Sequence, residues 1–312
     1  MVKVAVAGGT GGIGLHIVEG IIETGRHEVV VLSRRSSHPT LAKIGIRIIA
    51  VSYDDHAALA KALEGVHTVI STISGFEEST FTKPQLALLN AAVEAGVKRF
   101  VPSEFAARSA PDSLIDLYRL KWPVAEAAKK SGLEYTIYEV GIFMNYLASG
   151  TAGTGHLPPR EFMFDIENCK ATLPGDGSTY LVYTRAEDIG KFVAASLDLE
   201  KWPEFSQMRG DRKRLNEILQ LAEQVRGQKF EVTYLPEAQL VETLNSRNQV
   251  SPEQRDEKSG TLDREKFSAQ WWLEALRRNP TGFEGKNLNE LFPQVKPVCI
   301  ADFLQEWWGK NL

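Results

Sequence analysis

Residues 2–14 read VKVAVAGGTGGIG, and the reading of this stretch decides the fold. Val2, Val4 and Val6 alternate with Lys3, Ala5 and Ala7, which suits a short parallel strand covered on both faces. Gly8, Gly11 and Gly14 follow at G-x-x-G-x-x-G spacing, and Ile17, Val18, Ile21 and Ile22 then repeat with a helical period. A strand, a glycine turn and a helix N-terminus in that order make an anion site. Free N–H groups and the helix dipole point at a phosphate, and missing Cβ atoms let the backbone approach it. The stretch therefore predicts dinucleotide binding on Gly8, Thr10, Gly11, Gly12, Ile13 and Gly14, with the Thr10 hydroxyl as an added contact.

Outward from this loop, strand patterns recur at 28–32, 46–51, 68–73, 98–101 and 135–138. Between them lie helical patterns, one opened by Asp54 and Asp55. Another, 83–95, places Leu86, Leu89, Ala92 and Val93 on one face. Strands alternating with helices predict an α/β fold, a doubly wound parallel sheet with helices on both faces. Beyond about Tyr146 the alternation ends. This divides the chain into a nucleotide-binding domain, 1–150, and a smaller, mostly helical substrate region, 151–312, with 175–197 packing back on the first. In that second part 150–159 reads as a binding loop, and Thr184–Glu187 as a capping box opening a helix to Leu197. Helices are expected at 215–225 and 237–244, a strand at 229–235, and a polar surface loop at 246–260. The pairs Trp271–Trp272 and Trp307–Trp308 sit on helical stretches and read as packing or interface residues.

The bulk composition excludes several classes. With 36 basic and 40 acidic residues the net charge is −4, so no phosphate footprint for nucleic acid is expected. Two cysteines, Cys169 and Cys299, lie far apart without metal-ligand spacing. Reduced thiols in a cytoplasmic protein without a bound metal are the expectation. With a strand pattern starting at residue 2, no secretory leader is expected, and no apolar run approaches membrane-spanning length.

The tip of the second strand separates NAD from NADP. A carboxylate there binds a ribose 2′-OH, whereas an arginine accommodates a 2′-phosphate. This chain has Leu32-Ser33-Arg34-Arg35 and no acid before Asp54. Arg34 and Arg35 therefore favour NADPH.

A candidate for chemistry lies within DSLIDLYRLKWPVAEAAKKS, residues 112–131. On a helical wheel Leu114, Leu117, Tyr118, Val124, Ala125 and Ala128 surround Lys121. An ammonium in an apolar stripe is costly without partners, and burial lowers its pKa from about 10.4 toward general acid/base values. A snorkelling structural lysine is the alternative, and Pro123 would split the helix if it breaks there.

The ordered set GGTGGIG (8–14), the basic pair after strand two, KRFVPSEFA (98–106), Lys121, GLEYTIYEVGIFMNYL (132–147), GDGSTYLVYTRAEDIG (175–190) and LFPQVKPVCIADFL (291–304) resembles the isoflavone reductase-like and NmrA-like branch of atypical short-chain dehydrogenases. The resemblance implies a Rossmann-type fold and an NADPH-dependent reductase of small aromatic or phenolic molecules, with Lys121 as general acid/base. It also implies that Thr72 and Ser74, Ser103, and Phe143 surround the nicotinamide. Phe143, Met144, Tyr146 and residues 150–165, including His156 and Phe162, would form the substrate walls. Tyr118 and Lys121 are three apart and do not match the Tyr-x-x-x-Lys pair of ordinary short-chain dehydrogenases. Ala125 and Glu126 replace an arginine pair frequent in plant relatives. A non-catalytic NADP(H)-binding redox sensor of the NmrA type is the alternative function, and a homodimer is left open.

Overall fold

A computed structural model describes residues 1–249, 263–278 and 287–309. The first half runs β1 (Lys3–Ala7), α1 (Gly12–Thr24), β2 (Glu28–Ser33), α2 (Pro39–Lys43), β3 (Arg47–Ala50) and α3 (His56–Ala62). It continues with β4 (Thr68–Ser71), α4 (Lys83–Glu94), β5 (Arg99–Val101), α5 (Asp116–Lys130) and β6 (Glu134–Tyr135). These strands form one parallel sheet in the order β3-β2-β1-β4-β5-β6, so the order reverses between β1 and β4. The doubly wound α/β fold predicted from the alternation is the observed one.

The period of two in β1 sorts its side chains between two cores. Val4 and Val6 pack with Ile17 and Ile21 of α1, and Ala5 and Ala7 pack with Leu59, Leu88 and Leu89 on the opposite face. Local signals set several ends. Gly25 closes α1 in the left-handed conformation at φ 61°, and the Asp55 carboxylate accepts from the Ala58 amide at 3.0 Å to open α3.

The second half contains β7 (Ile137–Glu139), β8 (Ile142–Phe143), β9 (Phe164–Asp165), β10 (Lys170–Pro174), β11 (Tyr180–Thr184) and α6 (Ala186–Ser196). Then come β12 (Phe205–Gln207), β13 (Asp211–Arg214), α7 (Leu215–Arg226), β14 (Glu231–Leu235) and α8 (Glu237–Gln249). Helices α9 (Arg264–Arg278), α10 (Leu288–Leu291) and α11 (Ile300–Trp308) complete the described chain. Three small sheets, β14-β10-β9, β13-β11-β8 and β12-β7, frame this half. Its core gathers Tyr118, Leu173, Ile218, Trp271, Phe303 and Trp308. Helix α6 crosses α1 closely, because a Cβ on Gly20 would stand 2.4 Å from the Gly190 carbonyl carbon. Both tryptophan pairs pack: the Trp308 indole donates to the Leu147 carbonyl at 2.8 Å, and Trp307 lies against Gly153.

The structure departs from the sequence expectations in five places. The strand expected at 135–138 is two strands, because β6 pairs with β5 whereas β7 turns to pair with β12 about 70 residues on. The buried face of α4 runs through Gln85, Leu88, Leu89 and Ala92, leaving Val93 44% exposed. Helix α5 starts at Asp116 rather than near 112, since Glu274 and Gln270 of α9 accept the amides of Leu114 and Asp116. No capping box opens α6. Thr184 ends β11 and its hydroxyl donates to the Met208 carbonyl, while the Asn145 side chain accepts the Ala186 amide at 2.8 Å. Residues 246–249 belong to α8, and the remainder of the expected 246–260 loop lies outside the described residues. No helix among the described residues is long and apolar enough to cross a membrane.

Candidate active site

The carboxyl ends of β1, β2, β4 and β5 place the glycine loop, Arg34 and Arg35, Thr72 to Ser74 and Pro102 to Phe105 along one edge, at the reversal of strand order where open α/β sheets bind ligands. Gly8 turns the chain at φ 84°, and a Cβ there would stand 2.8 Å from the Thr72 carbonyl oxygen. A Cβ on Gly14 would stand 2.4 Å from Thr72 Oγ1 and 2.5 Å from the Gly8 oxygen, so this glycine lets α1 close onto the strand. Gly11 is extended at φ −171° with nothing within 4 Å of its Cβ position. It is the open side of the cradle. Gly12, at φ 52°, gives its amide to the His156 carbonyl at 3.2 Å; Thr10 and Ile13 are part-buried beside it.

Thr72 serves as the floor of the loop: its hydroxyl donates to the Ala7 carbonyl at 2.8 Å. Ser74 is exposed just beyond. The Ser103 amide donates to Gln85 Oε1 at 2.9 Å, and the Ser71 hydroxyl donates to the same oxygen at 2.9 Å. Gln85, absent from the sequence reading, thus ties the tips of β4 and β5 together from the start of α4. Arg34 and Arg35 are exposed and form no ion pair among the described residues. Tyr53, also unforeseen, lies near Arg34 at the end of β3; its hydroxyl is pushed up to about 12 by burial, with Arg34 opposing.

Helix α5 carries Lys121 where the sheet core meets the core of the second half: Ala128 packs in the former and Tyr118 in the latter. Most of the wheel holds, with Tyr118, Lys121, Val124, Ala125 and Ala128 buried and Arg119, Lys129 and Lys130 exposed, but Leu117 is part-buried and Leu114 precedes the helix. Pro123 lies on the exposed side, where water can satisfy the carbonyl that loses its donor, and α5 continues through it. Lys121 is 6% exposed and its Nζ donates to the main-chain carbonyl of Glu104. It makes no ion pair within 4 Å among the described residues. Burial drives its pKa below the usual lysine range, with the Glu104 carboxyl opposing. Tyr118 meets the ammonium with its ring, 5.2 Å from the centroid, and not as a Tyr-x-x-x-Lys hydroxyl.

The region expected to hold substrate is aromatic. Phe143 and Tyr146 make an edge contact at 5.9 Å, Phe162 packs edge-on against Trp271 at 5.1 Å, and Arg160 lies over Tyr146 at 5.7 Å. Met144 is fully buried. A cavity of about 310 Å³ borders this group, lined by Ser149, residues 158–162, Arg264, Phe267 and Ser268. The 150–159 segment is pinned over the start of α1. The His156 amide donates to His16 Nε2 at 3.1 Å, and His156 Nε2 lies 2.8 Å from Glu19 Oε1. The ligand atoms of His16, Glu19 and His156 fall within 4.8 Å of one another. His16 Nε2, however, accepts a backbone N–H, which assigns the ring proton to Nδ1 and leaves no free lone pair for a metal.

The NmrA-like family model matches residues 2–261. The oxidoreductase BOA1 of Botryotinia fuckeliana is 34% identical over 304 residues, covering 95% of this chain and 96% of its own. The phenylcoumaran benzylic ether reductase IRL1 of Ginkgo biloba is 30% identical over 261 residues, covering 78% of this chain and 81% of its own. A solved binary complex of leucoanthocyanidin reductase with NADPH from Vitis vinifera shares the fold, with a TM-score of 0.76 at 20% identity over 99% of this chain and 100% of that one. On these likenesses the chain belongs to the NmrA-like family, in its isoflavone reductase-like branch.

Proposed function

We propose that this chain is an NADPH-dependent reductase that delivers a hydride to a small aromatic, phenolic or conjugated carbonyl-type molecule, with Lys121 as general acid/base. The observation that carries the reading is Lys121 itself, a buried lysine without an ion pair among the described residues, tethered to the carbonyl of Glu104 just beyond β5. A purely regulatory nucleotide binder has no use for a buried ammonium, which costs stability at that position.

The residues present fit the dinucleotide. Gly8 and Gly14 are packed so that any Cβ would collide, and Gly11 faces open space where a pyrophosphate can approach. In this reading Gly8, Thr10, Gly11, Gly12, Ile13 and Gly14 hold the pyrophosphate, and Arg34 and Arg35 take the 2′-phosphate. Thr72, Ser74, Ser103 and Phe143 border the nicotinamide. NADPH, when bound, supplies the hydride from its C4 carbon. The protein aligns the acceptor, excludes water with Phe143, Tyr146 and Phe162, and moves one proton at Lys121 Nζ, a contribution of about 10² to 10⁴ in rate. Residues 1–150 are the nucleotide-binding part and 151–312 the substrate part, and the enzyme works in the cytoplasm. The names of relatives such as the benzylic ether reductase of Ginkgo biloba, together with the aromatic lining, support an aromatic substrate.

The test is isotopic. NADPH deuterated at C4 is incubated with the protein and a panel of phenolic, quinone and enone compounds, and products are read by mass spectrometry. One deuterium in a reduced product is expected. Nucleotide binding without label transfer to any compound would favour the redox-sensor reading instead.

A further inference from the structure

The cavity of about 310 Å³ beside the aromatic group is lined by more hydrogen-bond donors than the protein satisfies. Arg160 and Arg264 both line it, and neither guanidinium has an ion pair or a hydrogen bond among the described residues. Arg160 is half-buried and lies over the Tyr146 ring at 5.7 Å, which occupies one face of the guanidinium and leaves its N–H edge open. Arg264 is exposed at the start of α9, and the acids flanking it are engaged elsewhere. Asp263 meets Arg247 at 2.8 Å and accepts the Lys266 amide at 3.0 Å, and Glu265 faces Arg247 at 3.7 Å. Among the described residues Glu161 is the one carboxylate of the lining; it is exposed and pairs with neither arginine. The hydroxyls of Ser149 and Ser268 complete the polar part.

The apolar part comes from the same elements. Arg264, Phe267, Ser268, Trp271 and Trp272 fall at i, i+3, i+4, i+7 and i+8, so α9 presents them along one face. Phe162 lies across from that face, edge-on to Trp271 at 5.1 Å and 6.5 Å from Trp272. The Trp272 indole nitrogen is buried with no hydrogen-bond partner, a further donor without an acceptor. Pro158 and Pro159 stiffen the backbone that delivers Arg160. Two short routes join this cavity to the proposed chemistry. Tyr146 touches Arg160 on one side and Phe143 on the other, at 5.9 Å. Trp271 touches Phe162 and shares a core with Tyr118, whose ring meets Lys121 Nζ at 5.2 Å.

We propose that this cavity recognises an aromatic substrate bearing a carboxylate, with Arg160 and Arg264 as the residues that select it. This rests on the reductase reading above and names its substrate class. Two guanidiniums and one carboxylate leave the lining with a single positive charge, which matches a singly charged carboxylate better than a dianionic phosphate. A guanidinium edge gives a carboxylate two parallel N–H bonds, a geometry that a neutral phenol or amide does not reproduce. Phe162 and Phe267 flank the ring, and the reactive end points past Tyr146 toward Phe143. The volume lies at the small end of the range for ligand pockets and suits a single ring with a short side chain.

Binding is measured by calorimetry on protein saturated with NADP⁺, which keeps the probe away from Arg34 and Arg35. The probes are 4-hydroxycinnamate and 4-hydroxycinnamamide, alike in shape and different in charge. Wild type should bind the carboxylate about tenfold or more tighter than the amide, and lose most of that preference as NaCl rises from about 0.05 to about 0.5 M. Arg160→Met and Arg264→Met keep the reach of the side chain and remove its charge. Carboxylate affinity should fall about tenfold at half-buried Arg160 and less at exposed Arg264, with NADP⁺ affinity and Tm unchanged. Equal affinity for the two probes, binding of neither, or a preference that survives in the double variant would overturn the proposal. In turnover, an enone carrying a carboxylate should exceed its amide about tenfold in kcat/KM, and the double variant should bring that ratio near one. Equal turnover of the two enones would overturn the site and leave the reductase reading standing. Charge-selective, arginine-dependent binding without hydride transfer to any compound would support the site and reject the reductase reading.

Discussion

Two glycines of one loop, Gly11 and Gly14, should fail in opposite ways when each is replaced by alanine. At Gly14 the new Cβ would stand 2.4 Å from Thr72 Oγ1 and 2.5 Å from the Gly8 oxygen, against an ordinary contact of 3.4 Å or more. Neither neighbour can retreat easily, since Thr72 Oγ1 is hydrogen-bonded to Ala7 and the Gly8 oxygen is main chain. Overpacking of this kind costs up to about 3 kcal/mol, and better helix propensity returns about 1. A net loss of about 2 kcal/mol corresponds to a fall of roughly 4–8 °C in Tm. At Gly11 the backbone is extended and nothing lies within 4 Å, so Gly11→Ala should keep its stability within about 0.5 kcal/mol of wild type. Its methyl group, however, projects into the open side of the cradle. Loss of one charge-assisted contact to the pyrophosphate, about 1.5–3 kcal/mol, weakens NADPH about tenfold or more. Thermal unfolding with and without NADPH reads both effects. At 100 times the wild-type Kd, the nucleotide stabilises wild type by about 2.7 kcal/mol and a tenfold weaker variant by only about 1.4. A Gly11→Ala protein with the full NADPH shift, or a Gly14→Ala protein as stable as wild type, would refute this account of the loop.

Arg34→Ala should weaken NADPH much more than NADH, by about tenfold or more for loss of a charge-assisted phosphate contact. Equal losses in a fluorescence titration would contradict the 2′-phosphate assignment. The buried His16 has its pKa lowered from 6.5 to about 4, chiefly by burial. Between those values the unfolded chain binds more protons than the folded one, so His16 contributes stability above pH 6.5 and loses it as pH falls toward 4, about 3 kcal/mol in all. Glu104, its pKa raised by burial from 4.5 to about 7, acts in the opposite sense over nearly the same window, so the His16 effect is read as the difference between wild type and His16→Gln in urea unfolding. A difference that does not change between pH 7 and pH 4 would refute it.

Local chemistry was legible in the sequence, and distant pairing was not. The β1 strand, the glycine loop, the Gly25 and Asp55 caps and the Lys121 stripe are all written within a few residues of where they act. The split of the expected sixth strand depends on β12, and the Thr136 hydroxyl meets that of Ser206 at 2.7 Å across the new pair. The starts of α5 and α6 are set by Gln270, Glu274 and Asn145, which lie 41 to 160 residues away. Glu104 escaped notice for a related reason. A single acid after a strand looks like any solvated loop residue, and only the tertiary turn at Phe105 and the approach of α5 reveal its burial.

The central claim is that this chain reduces a small molecule with NADPH through Lys121, and NADPH oxidation by wild type beside Lys121→Ala tests it most directly. With a responsive phenolic, quinone or enone compound, the variant should bind NADPH as wild type does and lose about 10² to 10⁴ in kcat. Turnover undiminished in Lys121→Ala would contradict it.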